Sequence, residues 1–136
     1  MPELTVNATS DQIETVTDFV NGLLADLGCP DDVRIDIDVA IDELLGNIVR
    51  YAYKPGTGTV TVRAETDKDP PGLTVTFMDH GIPFNPLAET RPDTTSLPVR
   101  ERSIGGLGLF MVRELMDEMT YSYRDGQNVL TVRKAI

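Results

Sequence analysis

The sequence has 136 residues, 40% of them apolar and 25% charged, and 22 Asp and Glu outweigh 12 Lys and Arg to leave a formal net charge of −10. That length forms one domain (1–136) around one core, and the composition is that of an ordinary soluble globular protein. The acidic balance, with no basic run, argues against nucleic-acid and anionic-lipid partners and favours a basic protein surface, and no apolar stretch is long enough to cross a membrane.

The opening "MPELTVNATSDQ" has neither the basic start nor the apolar block of a secretory leader. A single cysteine, Cys29, rules out an internal disulfide and fits a reducing cytoplasm, where a small buried hydrophobe needs no chemistry of its own. "ELTVNA" alternates like a strand. Thr9 or Ser10 can cap a first helix, with apolar residues at Ile13, Val16, Val20, Leu23, Leu24 and Leu27 and a stop at Gly28. After Pro30 a second helical stripe runs through Ile37, Ala40, Ile41, Leu44, Leu45, Ile48 and Ala52, ending before "KPGTG". "TVTVRAE" and "LTVTFMD" alternate every second residue and read as paired strands around the polar turn "TDKDPPG".

Residues 85–104 lack steady periodicity and carry three prolines, a loop length that in a compact domain marks function or disorder. "GGLGLFMVRELMDEM" then turns into a helix with apolar residues at Leu107, Phe110, Met111, Leu115 and Met119. The chain closes as a hairpin around Asp125-Gly126. The order β-α-α-β-β-loop-α-β-β predicts an α+β two-layer sandwich, three main helices on one face of a largely antiparallel mixed sheet.

Three short stretches carry potential chemistry. In "DELLGNIVRYAY", Glu43 and Asn47 sit one helical turn apart on one face, with the poor helix former Gly46 between them. A carboxylate there can accept a proton and a carboxamide oxygen suits a hard cation such as Mg²⁺, although such a pair taken alone is a solvated face in most proteins. In "MDHGIPF", a Val/Thr strand ends in Asp79, followed by Gly81. That is an ordinary turn by itself. A carboxylate at that place can also accept from the exocyclic amine of adenine, and it rejects guanine, whose carbonyl would set acceptor against acceptor; Gly81 would then let a purine approach the backbone. In "GGLGLFMVREL", Gly105, Gly106 and Gly108 open a helix, where converging N–H groups favour an anion, although the spacing fits neither the Walker nor the dinucleotide pattern.

Read together and in order, these stretches resemble the GHKL (HATPase) superfamily with its Bergerat-type ATP-binding fold, and within it the small bacterial anti-sigma-factor serine/threonine kinases. The resemblance spans nearly the whole chain, including "VRYAY" after Asn47. It implies that Glu43 is the general base, Asn47 the Mg²⁺ ligand, Asp79 the adenine-reading carboxylate beside Gly81, and that Gly105, Gly106 and Gly108, with Leu107 and Leu109 between and after them, hold ATP phosphates at the hinge of a lid over about 85–104. Asn128 falls where related proteins often carry a Thr near the adenine. The function implied is transfer of the γ-phosphoryl group of ATP to a STAS-domain anti-anti-sigma protein, by a cytoplasmic homodimer that otherwise holds a sigma factor. Two rivals share the same nucleotide site: an ATP-responsive anti-sigma module without kinase activity, and a detached histidine-kinase catalytic domain, for which the chain lacks a helical phosphoacceptor hairpin.

Overall fold

The computed structural model of the chain describes residues 2–53, 56–89 and 106–136. Five strands are joined in one sheet: β1 (Glu3–Asn7), β2 (Thr59–Lys68), β3 (Pro71–Asp79), β4 (Glu118–Arg124) and β5 (Gln127–Ala135). Their order across the sheet is β1-β2-β3-β5-β4, and every pairing is antiparallel, a more uniform sheet than the sequence pattern suggested. The β2–β3 turn is tighter than the polar stretch around it implies. β2 and β3 stay paired out to Lys68 opposite Pro71, so only Asp69 and Pro70 turn the chain, through a cis peptide bond. The β4–β5 turn needs left-handed backbone at both central residues, and Asp125 (φ 54°) and Gly126 (φ 75°) supply it.

Helix α1 (Ile13–Asp26) is entered through a short 3-10 turn, Ser10–Gln12, preceded by an extended Thr9. It stops as expected at Gly28, whose φ of +66° lets the Gly28 and Cys29 amides bond back to Ala25 and Leu24. Helix α2 (Asp31–Asn47) starts directly after Pro30 with two aspartates in its first turn, which favour the positive end of the helix dipole. Its last turn widens into a π-helical segment, Ile48–Ala52, which the apolar periodicity alone did not announce. Helix α3 (Gly106–Leu115) is shorter than the sequence predicted: Met119 belongs to β4. Its buried face is Leu109 and Val112, continued by Met116 beyond its end, whereas Met111 is 41% exposed, so the apolar stripe lies a residue away from the one expected. Lys134 on β5 explains the stop, its ammonium donating to the free Leu115 carbonyl at 2.6 Å.

All three helices pack on one face of the sheet. Val16, Val20 and Leu24 of α1 and Ile37, Ala40, Ile41, Leu44 and Leu45 of α2 meet Val60, Val62 and Ala64 of β2, Leu73, Val75 and Phe77 of β3, and Leu130 and Val132 of β5. Each Val, Leu, Ile or Phe among them contributes about 1.5–3 kcal/mol by leaving water. The strand period of two carries this buried row on to one further rung, where Asp79 of β3 lies opposite Asn128 of β5. There the core stops being apolar.

Candidate active site

Asp79 and Asn128 are 4% and 5% exposed, so their polar atoms must be satisfied by the protein or by something that enters. Asn128 is satisfied completely. Its Nδ2 donates to Asp79 Oδ1 at 2.9 Å and to the Ile82 carbonyl at 2.8 Å, while its Oδ1 accepts from the Phe84 amide at 3.1 Å and from the Tyr121 hydroxyl. Burial pushes the Tyr121 phenol up, which keeps it a proton donor throughout the physiological range. Asp79 Oδ1 also accepts from the Gly81 amide at 2.8 Å. Both of these donors use the same oxygen, and no described group donates to Asp79 Oδ2. Asn128→Ala would strip a partner from four groups at once and is expected to lower stability by about 2–4 kcal/mol, read from the urea midpoint at unchanged m-value.

The chain leaving β3 is pinned to the end of α2. An added Cβ at Gly81 would sit 2.3 Å from the Ala52 carbonyl oxygen, and the Ile82 amide donates to that oxygen at 2.9 Å. The backbone that approaches Gly81 is therefore Ala52's, and backbone cannot move aside as a side chain can. Tyr53 braces the same corner, its hydroxyl donating to the Thr59 carbonyl at 2.6 Å and accepting from the His80 amide at 2.7 Å. Its ring lies where a side chain at Gly58 would have to go.

Between this corner and α3 opens a largely apolar cleft. Leu44, Ile48, Phe77, Ile82, Leu109 and Leu130 form much of its apolar wall, and Tyr51 stacks on Phe84 with ring centroids 6.1 Å apart at one side. Among the described residues the buried polar side chains are Asn47, Asp79 and Asn128, and all three line this cleft. A flat apolar heterocycle with an exocyclic donor would match such walls and the open Asp79 oxygen.

At the α2 side, Asn47 Oδ1 accepts from Arg50 Nη2 at 2.9 Å, whereas its buried Nδ2 has no partner. Gly46 makes room for this arrangement, since a Cβ there would lie 3.3 Å from Arg50 Nη1. One turn earlier the Glu43 carboxylate rests on the first turn of α3: a Cβ at Gly108 would fall 2.2 Å from Glu43 Oε2. The glycine thus admits a carboxylate against a helix N-terminus, where negative charge is favoured.

The profile of the histidine kinase-like ATPase domain matches residues 6–134. The chain belongs to that family. It is similar to proteins named serine-protein kinase RsbW, with 27% identity over 134 residues to that of Bacillus mycoides (strain KBAB4) and 28% over the same length to that of Bacillus cereus (strain B4264). In both comparisons 96% of this chain aligns with 82% of the relative. Among solved structures, the RsbU and RsbW domains of Rv1364c from Mycobacterium tuberculosis superpose at a TM-score of 0.66 and 22% identity, over 99% of this chain and 32% of that longer one. The SiaB–SiaC complex from Pseudomonas aeruginosa superposes at 0.63 and 20% identity, over 98% of this chain and 89% of that one. At these identities the two structures attest the α+β fold.

Within this ATPase family fold, Asn47, Asp79 and Leu109 line the cleft, and Gly81 forms its corner from behind. Glu43 and Gly108 meet each other just beyond the lining residues. Gly106 and Leu107 supply the first two positions of α3, while Gly105 lies outside the described residues. Of the stretch expected to be the lid, Pro86–Glu89 form a 3-10 turn and 90–104 lie outside the described residues. Tyr51, Phe84 and Tyr121, which no motif in the sequence singled out as site residues, also line the cleft, together with Asn128. The strand period was the signal for Asn128, since counting back from Val132 and Leu130 puts it on the buried face.

Mg²⁺ fits the donors present. A single carboxamide oxygen is the kind of protein ligand that would serve this ion alongside nucleotide phosphates and water. Asn47 Oδ1 already holds a cationic group, Arg50, which shows that it is directed to where positive charge can reach it. No cluster of three or more His, Cys, Asp or Glu suited to a metal occurs among the described residues.

Proposed function

We propose that this chain is an anti-sigma factor with ATP-dependent serine/threonine kinase activity. It would phosphorylate a STAS-domain anti-anti-sigma protein and, when that antagonist is phosphorylated, hold a sigma factor. The observation that carries the nucleotide part is the placement of the three buried polar side chains, Asn47, Asp79 and Asn128, on one apolar cleft. The kinase part is supported by membership of the ATPase family and by the similarity to serine-protein kinases named RsbW.

In this reading adenine enters between Ile48, Phe77 and Leu130, and its amine donates to Asp79 Oδ2. Asn128 and the Gly81 amide keep Asp79 oriented by occupying its other oxygen. Asn47 Oδ1 is the residue that would hold Mg²⁺, which supplies charge neutralisation on the phosphates. Glu43 of α2, which packs against the first turn of α3, takes the proton of the acceptor hydroxyl. As that oxygen bonds to the γ-phosphorus, the bond from phosphorus to the β–γ bridging oxygen breaks and ADP leaves. Gly108→Ala tests the seat of Glu43. The new methyl displaces the carboxylate while raising helix propensity by about 1 kcal/mol, so phosphotransfer is expected to fall at least tenfold with the melting temperature unchanged or raised.

The direct experiment incubates the chain with γ-labelled Mg-ATP and STAS-domain proteins from the same cell. Label on a Ser or Thr of one of them supports the kinase. Nucleotide-dependent binding without label supports the non-catalytic switch, and acid-labile phosphohistidine supports the histidine-kinase reading. A homodimer in the cytoplasm completes the proposal, and gel filtration coupled to light scattering tests the dimer.

A further inference from the structure

Arg50 is an exposed residue that the nucleotide reading leaves without a task, yet its contacts are specific. Its guanidinium folds back over Gly46 and donates to Asn47 Oδ1 at 2.9 Å, and its Cζ lies 5.7 Å from the centroid of the Tyr51 ring, on the cleft wall. Two physical consequences follow. A guanidinium is donor-only, so it fixes the Asn47 carboxamide with oxygen toward Arg50 and nitrogen inward. That orientation leaves Nδ2 buried without an acceptor, so the one hydrogen bond that holds the carboxamide is the one from the cation. Asn47 Oδ1 is also the single oxygen assigned to Mg²⁺, and two cations on one small oxygen repel one another.

We infer that Arg50 is a positioning residue that occupies Asn47 Oδ1 as a resident cation, and that Mg²⁺ arriving with nucleotide must displace it. The side chain keeps the oxygen aimed outward while the site is empty and sets the Mg²⁺ concentration at which metal-loaded nucleotide is held. Gly46 lies under the same guanidinium, with a Cβ there 3.3 Å from Arg50 Nη1. The inference rests on the proposed nucleotide site.

The test is the Mg²⁺ dependence of binding of the fluorescent nucleotide N-methylanthraniloyl-ADP to the full chain. In Arg50→Met the Mg²⁺ midpoint is expected to fall about fivefold, the scale of a charge-assisted hydrogen bond at an exposed site. Arg50→Lys, which keeps a cation on the same turn without the planar fork, should lie between Met and the unmodified chain. In an Asn47→Ala background the Arg50→Met change should leave the midpoint where Asn47→Ala alone puts it, closing a double-mutant cycle that a purely structural role for Arg50 would not produce. Unchanged midpoints in both Arg50 variants, with the unmodified chain binding normally, overturn the displacement and leave the nucleotide site standing. If the unmodified chain binds no N-methylanthraniloyl-ADP at millimolar Mg²⁺, both fall together.

Discussion

Asp79→Asn is expected to lower adenine-nucleotide affinity about 100-fold while leaving the fold intact. The two side chains are nearly the same shape, and the amide oxygen of Asn can still accept from Gly81 and from Asn128 where Asp79 Oδ1 does now. The new nitrogen then takes the position of Oδ2 and points a donor at the donor of adenine. Guanine presents a carbonyl at that place, so the variant should lose its rejection of guanine nucleotides even as it loses adenine. Competition between unlabelled ATP and GTP against a fluorescent nucleotide, with a thermal melt as control, reads both changes. Retained adenine affinity would remove Asp79 from base recognition, and with it the assignment of the cleft.

Glu43→Gln is expected to lower phosphotransfer by roughly 10²- to 10⁴-fold, the range for loss of a positioned general base, with nucleotide affinity altered by less than about threefold. Glutamine fills the same space against Gly108 but cannot take a proton. Glu43 is not part of the cleft lining, which is why binding and chemistry should separate here. Single-turnover label transfer to a STAS-domain protein measures the first quantity, and equilibrium titration the second. Equal loss of both would make Glu43 a structural support of α3 instead.

The architecture was legible in the sequence because it is written in periods. Alternation marked β2 and β3, a 3.6-residue stripe marked α1 and α2, and Gly28 and Asp125-Gly126 marked their own turns, since few other residues take those backbone angles. α3 was harder. Most of its residues are apolar, so periodicity could not choose between Met111, which is exposed, and Val112, which is fully buried. The site divided along the same line. Asp79 and Asn47 stood out as polar residues interrupting apolar patterns, whereas Gly81 and Gly108 carry meaning only through partners distant in sequence, Ala52 and Glu43. The π-helical turn was invisible because Ile48–Ala52 also continues an α-helical stripe; only the folded chain shows the extra residue that turns Tyr51 and Arg50 to their neighbours.

The seam where Ala52 touches Gly81 limits how this protein can change shape. Two main chains abut there with no side chain between them, and the Ile82 amide ties them together, so α2 and the exit of β3 behave as one block. Accommodation to different occupants is then left to the opposite rim, around Pro86 and Leu109. An occupied and an empty molecule would then differ in the surface they present on that rim and be alike on the block, which locates where a protein sensitive to occupancy has to touch.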